Sequence, residues 1–181
     1  MKKLHYIIVN LSLLTLLAAC GNPGEGASEH AHQTSQAQAT ASENTTAVAA
    51  LKNPNLDAVY QQYQRLVEAL IDGDANAAKL PALAIEAGAR EIPGATSIAN
   101  AAAEISTAGD LNTQRLAFAR LNEVFISLVK QTGMDSGKLY IAHCPMALDD
   151  EGASWVTNTR EIKNPYFGSS MLTCGTVTEA L

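Results

Sequence analysis

Aromatic residues are scarce in this 181-residue chain, at 5%, and charged residues make up only 17%. A hydrophobic fraction of 47% that owes so little to aromatics rests mostly on alanine. That composition fits helical bundles and argues against an all-β sandwich, which is built from aromatic and β-branched residues. Lys and Arg are the scarcer sign, 12 against 18 Asp and Glu, for a formal net charge of −6. Nucleic-acid binding rests on Lys and Arg neutralising phosphates, so no nucleic-acid partner is expected. No helical segment carries the paired carboxylates or Glu-x-x-His spacing of a di-iron bundle. No nucleophile, base and orienting residue form a recognisable motif, so the chain does not read as an enzyme. A long apolar run is also missing: Ile7 to Leu17 falls short of the roughly 20 residues a spanning helix needs.

What that short run does fit is an export leader over residues 1–19. Lys2 and Lys3 form its charged start, Ile7 to Leu17 its apolar centre and Leu17-Ala18-Ala19-Cys20 its small-residue cleavage region. Leu-Ala-Ala-Cys resembles the lipobox of bacterial lipoproteins, which implies cleavage before Cys20 and lipid attachment to it. Removing the leader takes away Lys2 and Lys3 and no acidic group, so the charge of −6 becomes −8, which suits cations better than anions. Gly21 stands where an Asp would signal inner-membrane retention in Gram-negative bacteria. The expected address is therefore the outer membrane, facing the periplasm, with the cell surface as the lesser alternative. Residues 20–54 form the lipidated Cys and a flexible tether, because a Gly, Ala, Ser, Thr, Gln and Glu segment cannot bury enough surface to offset its ordering entropy. As a coil it reaches on the order of 30 Å. His30 and His32 lie in it as solvated residues or a weak metal lure.

The folded domain is expected over residues 55–181. Asn55 can cap a helix in which Leu56, Val59, Tyr60, Tyr63, Leu66, Val67 and Leu70 recur at helical spacing, ending near Gly73. Asp74 can cap a second run to about Ala89, with Ala77, Leu80, Leu83, Ala84 and Ala87 as its apolar stripe and Pro81 bending or dividing it. A weaker segment spans Ser97 to Ser106. Asp110 or Asn112 opens the clearest helix, with Leu116, Ala119, Val124, Ile126, Leu128 and Val129 as its stripe and Gly133 as its stop. The fold class is mainly α: a small antiparallel bundle of three to four helices carrying an irregular, short-stranded C-terminal segment, about 138–181. Tyr60, Tyr63 and Phe118 read as core, and Arg65, Arg90, Arg115 and Arg120 as solvated charge or local ion pairs.

That last segment holds the chemistry. Leu139 to Ile141 reads as a strand, Asp149 to Gly152 as a turn, Trp155 and Val156 as a second strand, and Asn164-Pro165-Tyr166-Phe167-Gly168 as a turn. Between His143 and Cys174 lie one imidazole, two thiols and two thioethers. Thiolate and thioether sulfur prefer Cu(I) or Ag(I) to hard cations. Cys144 with Met146, and Met171 with Cys174, are spaced so that each pair can face one centre, and the 164–168 turn can bring the pairs together. Pro145 would fix the first chelate, and Gly175 would let the backbone pass close to the second. His143 is a further candidate ligand. The competing reading joins Cys144 to Cys174 in a disulfide, as an oxidising compartment favours. Closing a loop of about 30 residues would stabilise the fold by roughly 3–4 kcal/mol, leaving Met146, Met171 and Trp155 as packing residues. Zinc held by two Cys and one His lacks a fourth ligand.

The stretch His143-Cys144-Pro145-Met146, then Gly152 and Trp155, then Ile162 to Gly168, then Met171-Leu172-Thr173-Cys174-Gly175, resembles an uncharacterised bacterial domain family. Members of that family occur as free lipoproteins and fused to the C-terminus of CusB-type periplasmic adaptors of RND heavy-metal efflux pumps. The resemblance is close over Leu139 to Gly175 and loose over the helices. It implies a small, mainly helical domain associated with copper or silver handling, and an RND-type efflux adaptor as partner. Cys144, Met146, Met171 and Cys174 carry over as motif residues, with His143 and Trp155 behind them. Two functions follow as expectations: a periplasmic lipoprotein that binds Cu(I) or Ag(I) in support of efflux, or a disulfide-held module that docks on a membrane complex without metal.

Overall fold

The computed structural model describes residues 48–181; the leader, Cys20, His30 and His32 lie outside them. Strand β1 (Ala50–Leu51) pairs antiparallel with β2 (Met134–Ser136). The fold therefore includes the end of the segment expected as tether: Leu51 is buried and its N–H donates to Asp57 Oδ1 at 2.8 Å. Four helices follow β1: α1 (Pro54–Asp72), α2 (Lys79–Arg90), α3 (Thr96–Thr107) and α4 (Leu111–Thr132). The molecule is mainly helical, with short antiparallel strands at its C-terminus.

The helix ends follow local chemistry. Asn53, not Asn55, caps α1: its Oδ1 accepts from the N–H groups of Asn55 and Leu56, and Pro54 takes the first position, where no N–H is needed. Gly73 closes α1 at φ +73°, and Asp110 caps α4 by accepting from Thr113 N–H. Asp74 accepts from the N–H groups of Asn76 and Ala77, but in a turn ahead of α2. Pro81 then falls in the first turn of α2, where it neither kinks nor divides the helix.

Two predicted stripes turn out rotated. In α2 and the turn before it, the expected core residues Ala77, Leu80, Leu83, Ala84 and Ala87 are all exposed, Leu80 at 75%, while Ala78, Ala82, Ile85 and Ala89 are buried. Both faces of this alanine-rich helix are apolar, and the smaller one wins because it permits close approach. A Cβ at Gly88 would lie 2.8 Å from Val59 Cγ2 on α1. On α4 the buried face is Ala117, Phe118, Leu121, Asn122, Phe125 and Val129; of the expected stripe only Val129 is buried, and Leu116 is 48% exposed. Phe125 supplies the reason, stacking on Tyr63 with ring centroids 4.5 Å apart.

The C-terminal segment forms a three-stranded antiparallel sheet in the order β4-β3-β5, from β3 (Tyr140–Cys144), β4 (Ala153–Thr157) and β5 (Thr176–Ala180). Strand β5 adds an element beyond the two strands the sequence pattern predicts; its Thr-Val-Thr-Glu-Ala sequence lies largely exposed at the sheet edge. Between β3 and β4 a short helical turn, α5 (Ala147–Asp150), holds three consecutive left-handed residues, Leu148, Asp149 and Asp150, at φ 57°, 57° and 68°. Among the described residues no helix is long and apolar enough to cross a membrane.

Candidate functional site

Cys144 ends the central strand and is fully buried; Cys174 lies just before β5 and is partly exposed. Their Cα atoms are 5.8 Å apart and their sulfurs are bonded. Two independent features impose this closeness. The β3–β5 ladder pairs His143 with Thr176, which sets the residues beside them next to each other. Gly175, at φ +124°, lies so close to β3 that a Cβ there would be 2.8 Å from His143 O and 3.0 Å from the Trp155 ring.

Asn164 fastens the rest of the closing motif. It is fully buried, and its Oδ1 accepts from the N–H groups of Tyr166 and Phe167 at 2.7 and 3.2 Å, the Asx turn that shapes the NPYFG loop. Its Nδ2 donates to Cys174 O at 2.8 Å and its backbone N–H to Leu172 O at 2.8 Å, so one residue ties the loop to the Met171–Cys174 turn. Arg115 clasps the same loop from α4: Nε donates to Pro165 O at 2.9 Å and Nη2 to Leu70 O at 3.0 Å. Gly168 fits beneath this clasp, where a Cβ would lie 2.7 Å from Ile71 O.

The sheet and the Asx turn thus bring together the two cysteines of the closing motif. Met146 follows Cys144 by two residues and is 48% exposed, while Met171 is partly exposed and its carbonyl accepts from Cys174 N–H at 3.1 Å. His143 stands apart, on the opposite face of β3 from Cys144. Its Nδ1 meets Ser154 Oγ at 3.0 Å, in a cleft of about 470 Å³ that also contains Glu123 and Glu151. Trp155 is buried and meets Tyr166 edge-on at 6.1 Å, so it serves as packing. Among the described residues no group of three or more His, Cys, Asp and Glu side chains is arranged to hold a metal ion.

Sequence reasoning missed a buried polar chain that seats the sheet on the helices. Tyr63 Oη donates to Asn122 Oδ1 at 2.7 Å and accepts from Val156 N–H at 2.9 Å. Asn122 Nδ2 donates to Phe118 O and, at 3.2 Å, to Tyr166 Oη, which donates to Ser154 O at 2.8 Å. Burial holds the Tyr63 and Tyr166 phenols well above their usual pKa. The polar residues at helical spacing on α4 carried no signal of this, since their partners are remote in sequence.

Residues 59–137 match a family described as "Protein of unknown function (DUF3347)". The match spans most of α1 through β2 and stops before the sulfur motif. No curated protein and no solved structure matches the chain.

Proposed function

We propose that the protein is an envelope lipoprotein whose Cys144 and Cys174, once reduced, take up a soft monovalent ion, Cu(I) or Ag(I), with Met146 and Met171 as thioether donors. The observation that carries this reading is the register of β5 on β3 together with the tight fit of Gly175. Both are backbone contacts that set the two cysteines side by side, which supports a site that stays assembled after reduction. Opening the bridge takes two electrons and two protons from a dithiol reductant, giving two thiols. Binding the ion then releases protons as thiolate–metal bonds form. Lipid attachment at Cys20, an outer-membrane address facing the periplasm, and delivery to an RND-type efflux adaptor belong to the same proposal. They rest on the leader pattern and on the resemblance of the closing motif.

Anaerobic titration with Cu(I), read by X-ray absorption, tests it. The reduced protein is expected to bind about one equivalent through sulfur, and the oxidised protein far less. Replacing Met146 and Met171 by Leu is expected to weaken binding. Reduced protein that binds no more tightly than the Cys144→Ser/Cys174→Ser variant overturns the proposal. The complete burial of Cys144 favours a second reading, in which the bridge is a permanent staple of a docking module. Intact mass of cell-derived protein separates the two: a bridge that resists dithiol reductants under native conditions supports the staple.

A further inference from the structure

A second cleft, of about 320 Å³, lies between the start of α4, the NPYFG loop and the α5 turn. We infer that it binds a free α-amino acid with an apolar side chain, the carboxylate on Arg115 and the ammonium on Asp149. Both charges line the cleft, and neither belongs to any ion pair among the described residues. The two carbonyls that hold Arg115 Nε and Nη2 leave Nη1 without a protein partner among those residues. A guanidinium fixed in this way offers a pre-organised fork to a carboxylate. Burial also lowers its pKa, as expected for a desolvated cation lacking a counter-charge.

Asp149 reaches its position through the left-handed run at Leu148–Asp150. Asp tolerates this conformation, whereas Leu148 adopts it under strain. The turn is held by Glu151 N–H to Leu148 O and Gly152 N–H to Ala147 O. Leu116, Leu148 and Phe167 supply apolar walls, and Ser170 a hydroxyl. The volume sits near the bottom of the range of about 300–1,000 Å³ for small-molecule sites, which suits one amino acid better than a peptide. A zwitterion also avoids the repulsion that a chain of net charge −6 exerts on simple anions.

Calorimetric titration of the full chain with L-leucine, N-acetyl-L-leucine and L-leucinamide tests the assignment. L-leucine is expected to bind, and blocking either end to weaken binding by about tenfold or more, the effect of losing one charge-assisted hydrogen bond. Asp149→Asn keeps a residue that accepts left-handed φ; it should fold unchanged by circular dichroism and lose the preference for the free amine. No heat with millimolar L-leucine overturns the inference, as does equal binding of the acetylated form or an unaltered preference in Asp149→Asn.

Discussion

Asn122 is a small residue with a large share of the structure. It satisfies Tyr63 and Tyr166 at once and is itself almost completely buried. Asn122→Leu would leave the Tyr63 hydroxyl without its acceptor inside the core, where an unmet polar group is costly. We expect a loss of about 2–4 kcal/mol, measured by urea unfolding; a loss under about 0.5 kcal/mol would mean the network holds without it. The phenols give a pH signature. Their folded pKa values lie above the usual value of about 10. The folded state therefore keeps protons that the unfolded chain releases, and stability is intact below pH 10 and falls as pH rises beyond it. Each such tyrosine contributes a slope of about 1.4 kcal/mol per pH unit in that range. Thermal melts between pH 8 and 11 check this, with a flat profile as the contrary outcome. None of it was legible in the sequence, where Asn122 reads as one more polar position. The Cys144–Cys174 pair was legible as one of two readings, because thiols are rare in the chain and the closing segment holds only these two.

At the scale of elements, boundaries were easier to read than faces. Gly73, Asp110 and Gly133 act through their own backbone or side chain, so their effect is local and visible in sequence. Which face of α2 turns inward depends instead on how near α1 can come, and that is decided by Val59 on another helix. The inversion makes a sharp prediction. Leu80→Gln with Leu83→Gln should change stability by no more than about 0.5 kcal/mol, as for exposed positions, whereas Ile85→Ala should cost about 2–5 kcal/mol. Urea unfolding of both variants decides it, and the reverse order would restore the leucine face to the core. Gly88→Ala forces Val59 to move, so it should destabilise despite the better helix propensity of Ala. Strand β5 escaped sequence reading for a related reason: its pairing with β3, not its own apolar content, makes it a strand.

For the whole molecule, the helical part and the closing motif depend on each other. Reduction of Cys144–Cys174 should lower stability by roughly 3–4 kcal/mol on the chain-entropy account, yet leave the folded state in place, since the ladder, Gly175 and Asn164 remain. Paired thermal melts with and without reductant, alongside far-ultraviolet circular dichroism, test both halves of that statement. The guanidinium clasp has a consequence of its own. One cation grips a carbonyl near the end of the first helix and another in the closing loop, so two segments some ninety residues apart in sequence are tied at a single side chain. A fragment cut after Gly137, at the edge of the family match, would lose the closing-loop half of that grip, together with the donor that β4 presents to Tyr63 and the Tyr166 hydroxyl that Asn122 meets. It should lack a sharp melting transition, and the whole protein should melt as one unit.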